Sequence, residues 1–109
     1  MILGLDFHNT ITKNPKMFKR ISGALLQAGF QVYIISALKR PTDPQRKKEV
    51  LKCKVPNSGV ELVYFNDYSE IPELKLEACR RLGVKVMIDD MYSVCEKLAE
   101  EGIITLQIR

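Results

Sequence analysis

At 109 residues the chain has room for one compact domain and not for two. Its 46% hydrophobic and 28% charged residues match an ordinary globular protein, no apolar run approaches the ~20 residues of a bilayer span, and no basic stretch precedes a long apolar run as in a signal peptide, so a cytoplasmic setting without a membrane partner is expected. A net charge of +4 mildly favours anionic partners, while three cysteines without CxxC spacing argue against a disulfide framework or a zinc site.

Ile2 to Asp6 reads as a short buried strand. Asn14 is placed to cap a helix with Pro15 at its first position, and Met17, Phe18, Ile21, Leu25 and Leu26 give it an apolar face before Gly29 stops it. Gln31 to Ile35 is a second strand, closed by Ser36. The stretch from Pro41 to Pro44 breaks the chain, and Gln45 to Lys54 reads as a charged helix. Pro56 to Gly59 is turn chemistry, and Val60 to Phe65 is a third strand. Pro72 starts a helix that Gly83 ends. Lys85 to Ile88 is a fourth strand, Tyr92 to Glu101 a helix, and Ile103 to Leu106 a final strand. Five strands alternating with four helices predict an α/β fold, a parallel sheet doubly wound in three layers. Crossovers should be right-handed, and a ligand should sit at the carboxyl ends of the strands.

Polar residues gather where that site should be. Asp6, His8 and Thr10 follow the first strand, Ser36 the second, and Asp89 and Asp90 the fourth. Lys75 lies on the helix before the fourth strand. Asp6, Asp89 and Asp90 are hard oxygen donors that suit Mg²⁺. Three carboxylates together resist ionisation unless cations relieve them, and Lys75 can supply one positive charge. Hydroxyls, a lysine and a metal are what phosphoryl transfer uses, because that chemistry is mostly positioning and charge stabilisation. Asn66 and Asp67 read as a turn outside the site. Seven basic residues between Lys39 and Lys54 form either a solvated helix face or a patch that meets phosphate.

In order and spacing these motifs resemble the haloacid dehalogenase (HAD) superfamily, and within it the phosphatases. Asp6-Phe7-His8-Asn9-Thr10 matches the first and last positions of the DxDxT motif. Ser36, Lys75 and the Asp89-Asp90 pair match the second, third and fourth motifs. The resemblance implies a Rossmann-like sheet of order 3-2-1-4-5 with a nucleophilic Asp6. Asp6, the Asp89/Asp90 pair and the backbone carbonyl of His8 would hold Mg²⁺. Thr10, Ser36 and Lys75 would bind the substrate phosphate, Lys75 also steadying the aspartyl-phosphate.

His8 departs from the motif, since the phosphatases carry an aspartate there as general acid and base. Imidazole is a competent substitute near neutral pH. The alternative is a catalytically weak or silent phosphate- or nucleotide-binding module of the same fold. A response-regulator receiver is disfavoured, because its acidic pair would follow the first strand. No insertion is long enough for a cap domain. An open site implies a macromolecular substrate or a cap lent by a second copy in a homo-oligomer. The acidic pair in MIDDMYSVCEKLAEEG also resembles the phosphatase part of polynucleotide kinase phosphatases. A nucleotide or nucleic-acid phosphate end is therefore a candidate substrate, beside a sugar phosphate or a phosphoprotein.

Overall fold

In a computed structural model covering residues 1–109, the first apolar run forms β1 (Ile2–Leu5), the middle strand of a five-stranded sheet. Then follow α1 (Pro15–Gln27), β2 (Gln31–Lys39), α2 (Pro44–Leu51), β3 (Gly59–Phe65), α3 (Ile71–Leu82), β4 (Val86–Asp89), α4 (Tyr92–Glu100) and β5 (Ile104–Gln107). Every pairing is parallel and the order is β3-β2-β1-β4-β5, as the alternation and the resemblance lead one to expect. The order reverses between β1 and β4, which opens a crevice at their carboxyl ends. No helix is long and apolar enough to cross a membrane.

Two apolar layers flank the sheet. Ile35 and Met87 pack with Leu76 of α3 and with Val94 and Leu98 of α4. Leu5 and Ile34 pack with Phe18 of α1 and Val50 of α2 on the other side. Neighbours such as Ile34 and Ile35 belong to opposite layers because side chains alternate along a strand. Gly4 marks the tightest approach within the sheet. A Cβ there would come within 2.6 Å of the Met87 sulfur.

The helices obey their caps more closely than their apolar patterns. Asn14 caps α1 by accepting from the Met17 amide at 3.2 Å, with Pro15 in the first turn. Phe18, Leu25 and Leu26 of the expected face pack on the core, but Met17 and Ile21 are each 38% exposed and Ser22 is buried instead. Ser22 can face inward because its hydroxyl donates to the Pro56 carbonyl. α2 begins at Pro44 under an Asp43 cap and ends at Leu51, short of Lys54. The chain must leave the helix there for Val55 to reach the core beside Val50.

β2 differs most from expectation. It runs four residues past Ile35, to Lys39. β1 stops pairing at Leu5 with Ile34, whereas β3 continues to pair from Ser36 with Leu62 through Lys39 with Phe65. The strand ends where Pro41 restricts the residue before it. Ser36 is therefore inside a strand rather than at its end. The tip of β2 stands as a wall beyond the end of β1.

Candidate active site

Asp6 lies just past β1, where its amide still donates to the Ile88 carbonyl at 2.9 Å. The carboxylate is thereby fixed to the sheet at the reversal of strand order. The chain then turns sharply. Asn9 takes a left-handed φ of 60°, which asparagine tolerates better than most residues. The turn returns Thr10 to the interior, where its hydroxyl donates to Asp6 Oδ2 at 3.1 Å. Thr10 is fully buried and belongs to the support of Asp6.

Lys75 extends from α3 into the same place. Its Nζ lies 2.7 Å from Asp6 Oδ1 and 2.6 Å from Asp89 Oδ2. Lysine and both acids are buried. Asp89 uses its other oxygen to accept from the Met91 amide at 3.0 Å, which holds the approach to α4. Asp90 stands beside them, half-buried, and ligand oxygens of Asp6, Asp89 and Asp90 lie within 4.8 Å of one another.

Charge in this cluster is unbalanced. Burial pushes the Asp6 carboxyl up to about 7; Lys75 opposes that shift, and Asp89 and Asp90 add to it. Burial also works against the Lys75 cation, but Asp6 and Asp89 outweigh it and hold the ammonium above the ordinary lysine range. When Asp6 is ionised, three carboxylates face one ammonium, an excess of two negative charges. The donors are all hard oxygens, and their spacing suits a small divalent cation. On both grounds the residues present fit Mg²⁺.

His8 borders the cluster, half-buried, with its ring edge-on to Phe7 at 5.0 Å. Its Nε2 accepts from Arg46 Nε of α2 at 2.8 Å. A guanidinium is a donor only, so Nε2 carries a lone pair here and the imidazole is neutral. Burial first, and the Arg46 cation second, hold its pKa below the usual histidine value.

These groups line a cleft of about 270 Å³. Acids and Lys75 form its floor, and Lys39 and Arg46 stand on its walls with Phe65 and Tyr68. Lys39 Nζ sits 5.3 Å from the centre of the Tyr68 ring, which leans on Phe65 at 4.9 Å. The fold thus brings Asp6, His8, Lys75, Asp89 and Asp90 together. It does not bring Ser36 to the cleft lining. Alternation along β2 puts Ser36 on the Ile34 side, while Ala37 and Lys39 share the Asp6 side. The Ser36 hydroxyl is buried without a partner. Sequence reasoning missed Arg46, Lys39 and Tyr68 as cleft residues; the one trace of the first two was their place in the basic cluster.

No family model matches the sequence, and no curated protein matches it. Solved structures do match. A chain of the Pnkp1/Rnl/Hen1 RNA repair complex superposes with a TM-score of 0.72 at 15% identity, over 98% of this chain and 42% of that one. A protein from the universal stress protein family of Burkholderia pseudomallei gives 0.67 at 16%, over 98% and 94%. A HAD family enzyme from Bacteroides thetaiotaomicron, in complex with magnesium and inorganic phosphate, gives 0.55 at 18%, over 95% and 54%. This chain spans about half the length or less of the first and third. The likeness is one of fold, a Rossmann-like α/β sheet shared with HAD enzymes and with other proteins.

Proposed function

We propose that the chain is a Mg²⁺-dependent phosphomonoester hydrolase acting through an aspartyl-phosphate on Asp6. The observation that carries this reading is the buried Asp6–Lys75–Asp89 bridge, at 2.7 and 2.6 Å, on the carboxyl edge of the sheet. An ammonium between two acids aims Asp6 and opposes the burial that favours its protonated form, and Thr10 fixes its second oxygen. An Asp6 oxygen would bond to phosphorus as the ester P–O bond breaks. The departing oxygen needs a proton, and His8 occupies the acid/base position to give it. Water would then attack the phosphorus, breaking its bond to Asp6 and releasing inorganic phosphate. Mg²⁺ bound by Asp6, Asp89, Asp90 and the His8 carbonyl would supply the positive charge that the cluster lacks.

The cleft is open, with no insertion to cover it. That supports a phosphate carried on a large substrate, such as a nucleotide or nucleic-acid end. The fold likeness to a chain of an RNA repair complex agrees with this. A second reading, a silent phosphate-binding module, is favoured by one observation. The His8 nitrogen facing Arg46 holds no proton to donate.

Release of phosphate from p-nitrophenyl phosphate separates the two. A hydrolase shows Mg²⁺-dependent turnover that chelation and Asp6→Asn each abolish. This leaving group hardly needs an acid, so a silent wild type would sink the hydrolase reading despite His8.

A further inference from the structure

We propose that Arg46 and Lys39, rather than Thr10 and Ser36, hold the substrate's phosphoryl oxygens in this chain. The proposal rests on the reading of the cleft as a phosphate site and names the ligands it uses.

Both hydroxyls that the sequence motif offers are withdrawn. Thr10 is fully buried with its hydroxyl on Asp6. Ser36 is fully buried within β2, and although its hydroxyl has no partner it is not among the residues that line the cleft. Lys75 is committed to Asp6 and Asp89. A phosphate entering the cleft therefore meets no hydroxyl from the expected set.

It meets two cations instead. Arg46 and Lys39 line the cleft, both are exposed, and neither has a carboxylate partner in the chain. The extension of β2 beyond β1 brings Lys39 there. Arg46 spends only Nε on His8. Its two terminal amino groups have no hydrogen bond within the protein, and that pair of parallel donors matches two oxygens of a phosphate. One guanidinium can thus hold a phosphoryl group and the imidazole side by side.

Charge points the same way. A divalent ion cancels the two-charge excess of the acidic floor, leaving Arg46 and Lys39 as two unbalanced positive charges. A phosphomonoester at neutral pH carries roughly −1.5 to −2. The cleft walls therefore match one such group.

Calorimetric titration with inorganic phosphate in the presence of Mg²⁺ tests this without requiring turnover. Arg46→Ala and Lys39→Ala should each weaken binding by about tenfold or more, as expected for loss of a charged hydrogen bond. Each should also flatten the salt dependence of the affinity, which a merely structural role would leave unmoved. Ser36→Ala should change affinity by less than about twofold, a few tenths of a kcal/mol. Arg46→Ala and Lys39→Ala replace exposed side chains and Ser36→Ala a buried one, and melting curves would verify that all three fold. Phosphate binding that the two cation variants weaken, without p-nitrophenyl phosphate turnover, would uphold the proposal while sinking the hydrolase reading. A wild type that does not bind phosphate, a larger loss from Ser36→Ala, or unaltered affinity in the two cation variants would overturn it.

Discussion

Arg46 Nε donates to His8 Nε2 across 2.8 Å, from a position 38 residues further along the chain. The bond fixes the imidazole and decides when it can carry a second proton. Burial first and Arg46 second depress the His8 pKa, so the protonated form builds up only below the usual histidine range. Under saturating Mg²⁺, which favours ionised Asp6, turnover of an alkyl phosphate, whose leaving group needs an acid, should therefore rise as pH falls into that region. Arg46→Gln removes one of the depressing charges and should move the limb to higher pH. His8→Ala should cost about 10²–10⁴-fold with the alkyl phosphate, the usual worth of general acid catalysis, and far less with p-nitrophenyl phosphate. Equal losses on both substrates would rule out the acid role.

Lys75 is the electrostatic keystone of the cluster. Lys75→Met keeps a similar shape and removes the only cation that touches Asp6 and Asp89. Breaking a buried pair in this way costs about 3–5 kcal/mol, because the remaining charges stay buried without compensation. Denaturant unfolding in EDTA should show that loss. Adding Asp6→Asn to Lys75→Met should recover part of it by removing one of the stranded acids. A loss below about 1 kcal/mol, the range of exposed pairs, would mean that solvent screens the bridge.

Gly4 illustrates a constraint of packing alone. A methyl group there would meet the Met87 sulfur at 2.6 Å and the Ile35 side chain at 3.1 Å. Overfilling a core costs about 1–3 kcal/mol. The low end is expected for Gly4→Ala, since methionine can swing aside. Unfolding curves would measure it, and Met87→Ala in the same chain should relieve the clash.

The sheet was legible because each strand is an apolar run bounded by turn residues, and the four helices carry clear starts or stops. Asp6, Lys75, Asp89 and Asp90 were legible for a related reason. They follow or precede strands whose parallel order puts those ends on one edge. What escaped was set by pairing partners. The length of β2 depends on β3 continuing beside it after β1 has stopped, which moved Ser36 inside the strand and carried Lys39 to the cleft. Arg46 escaped because its contact with His8 depends on where α2 docks, and nothing local to either residue encodes that distance. On α1 the inward turn of Ser22 escaped because serine is polar by type. Its burial is satisfied by a carbonyl 34 residues away.

The charge excess in the cleft should make stability depend on pH and Mg²⁺ together. Asp6 titrates near 7 in the metal-free fold, against a reference value of 3.8. A raised folded pKa means that the native state binds the Asp6 proton more tightly than the unfolded chain does. Its stabilising contribution is complete below about pH 4 and is lost as pH rises through about 7. In EDTA this group alone should thus lower the unfolding free energy progressively between those values, by on the order of a few kcal/mol, and the melting temperature with it. Asp6→Asn should remove that part of the slope. Mg²⁺ binds the ionised cluster, so its stabilising effect should grow with pH over the same window, following RT ln(1 + [Mg²⁺]/Kd). Melting curves of both proteins, with and without Mg²⁺, would decide the matter. A wild-type slope indistinguishable from that of Asp6→Asn, and no stabilisation by Mg²⁺ at pH 8, would show that Asp6 is neither buried as a carboxylate nor part of a metal site.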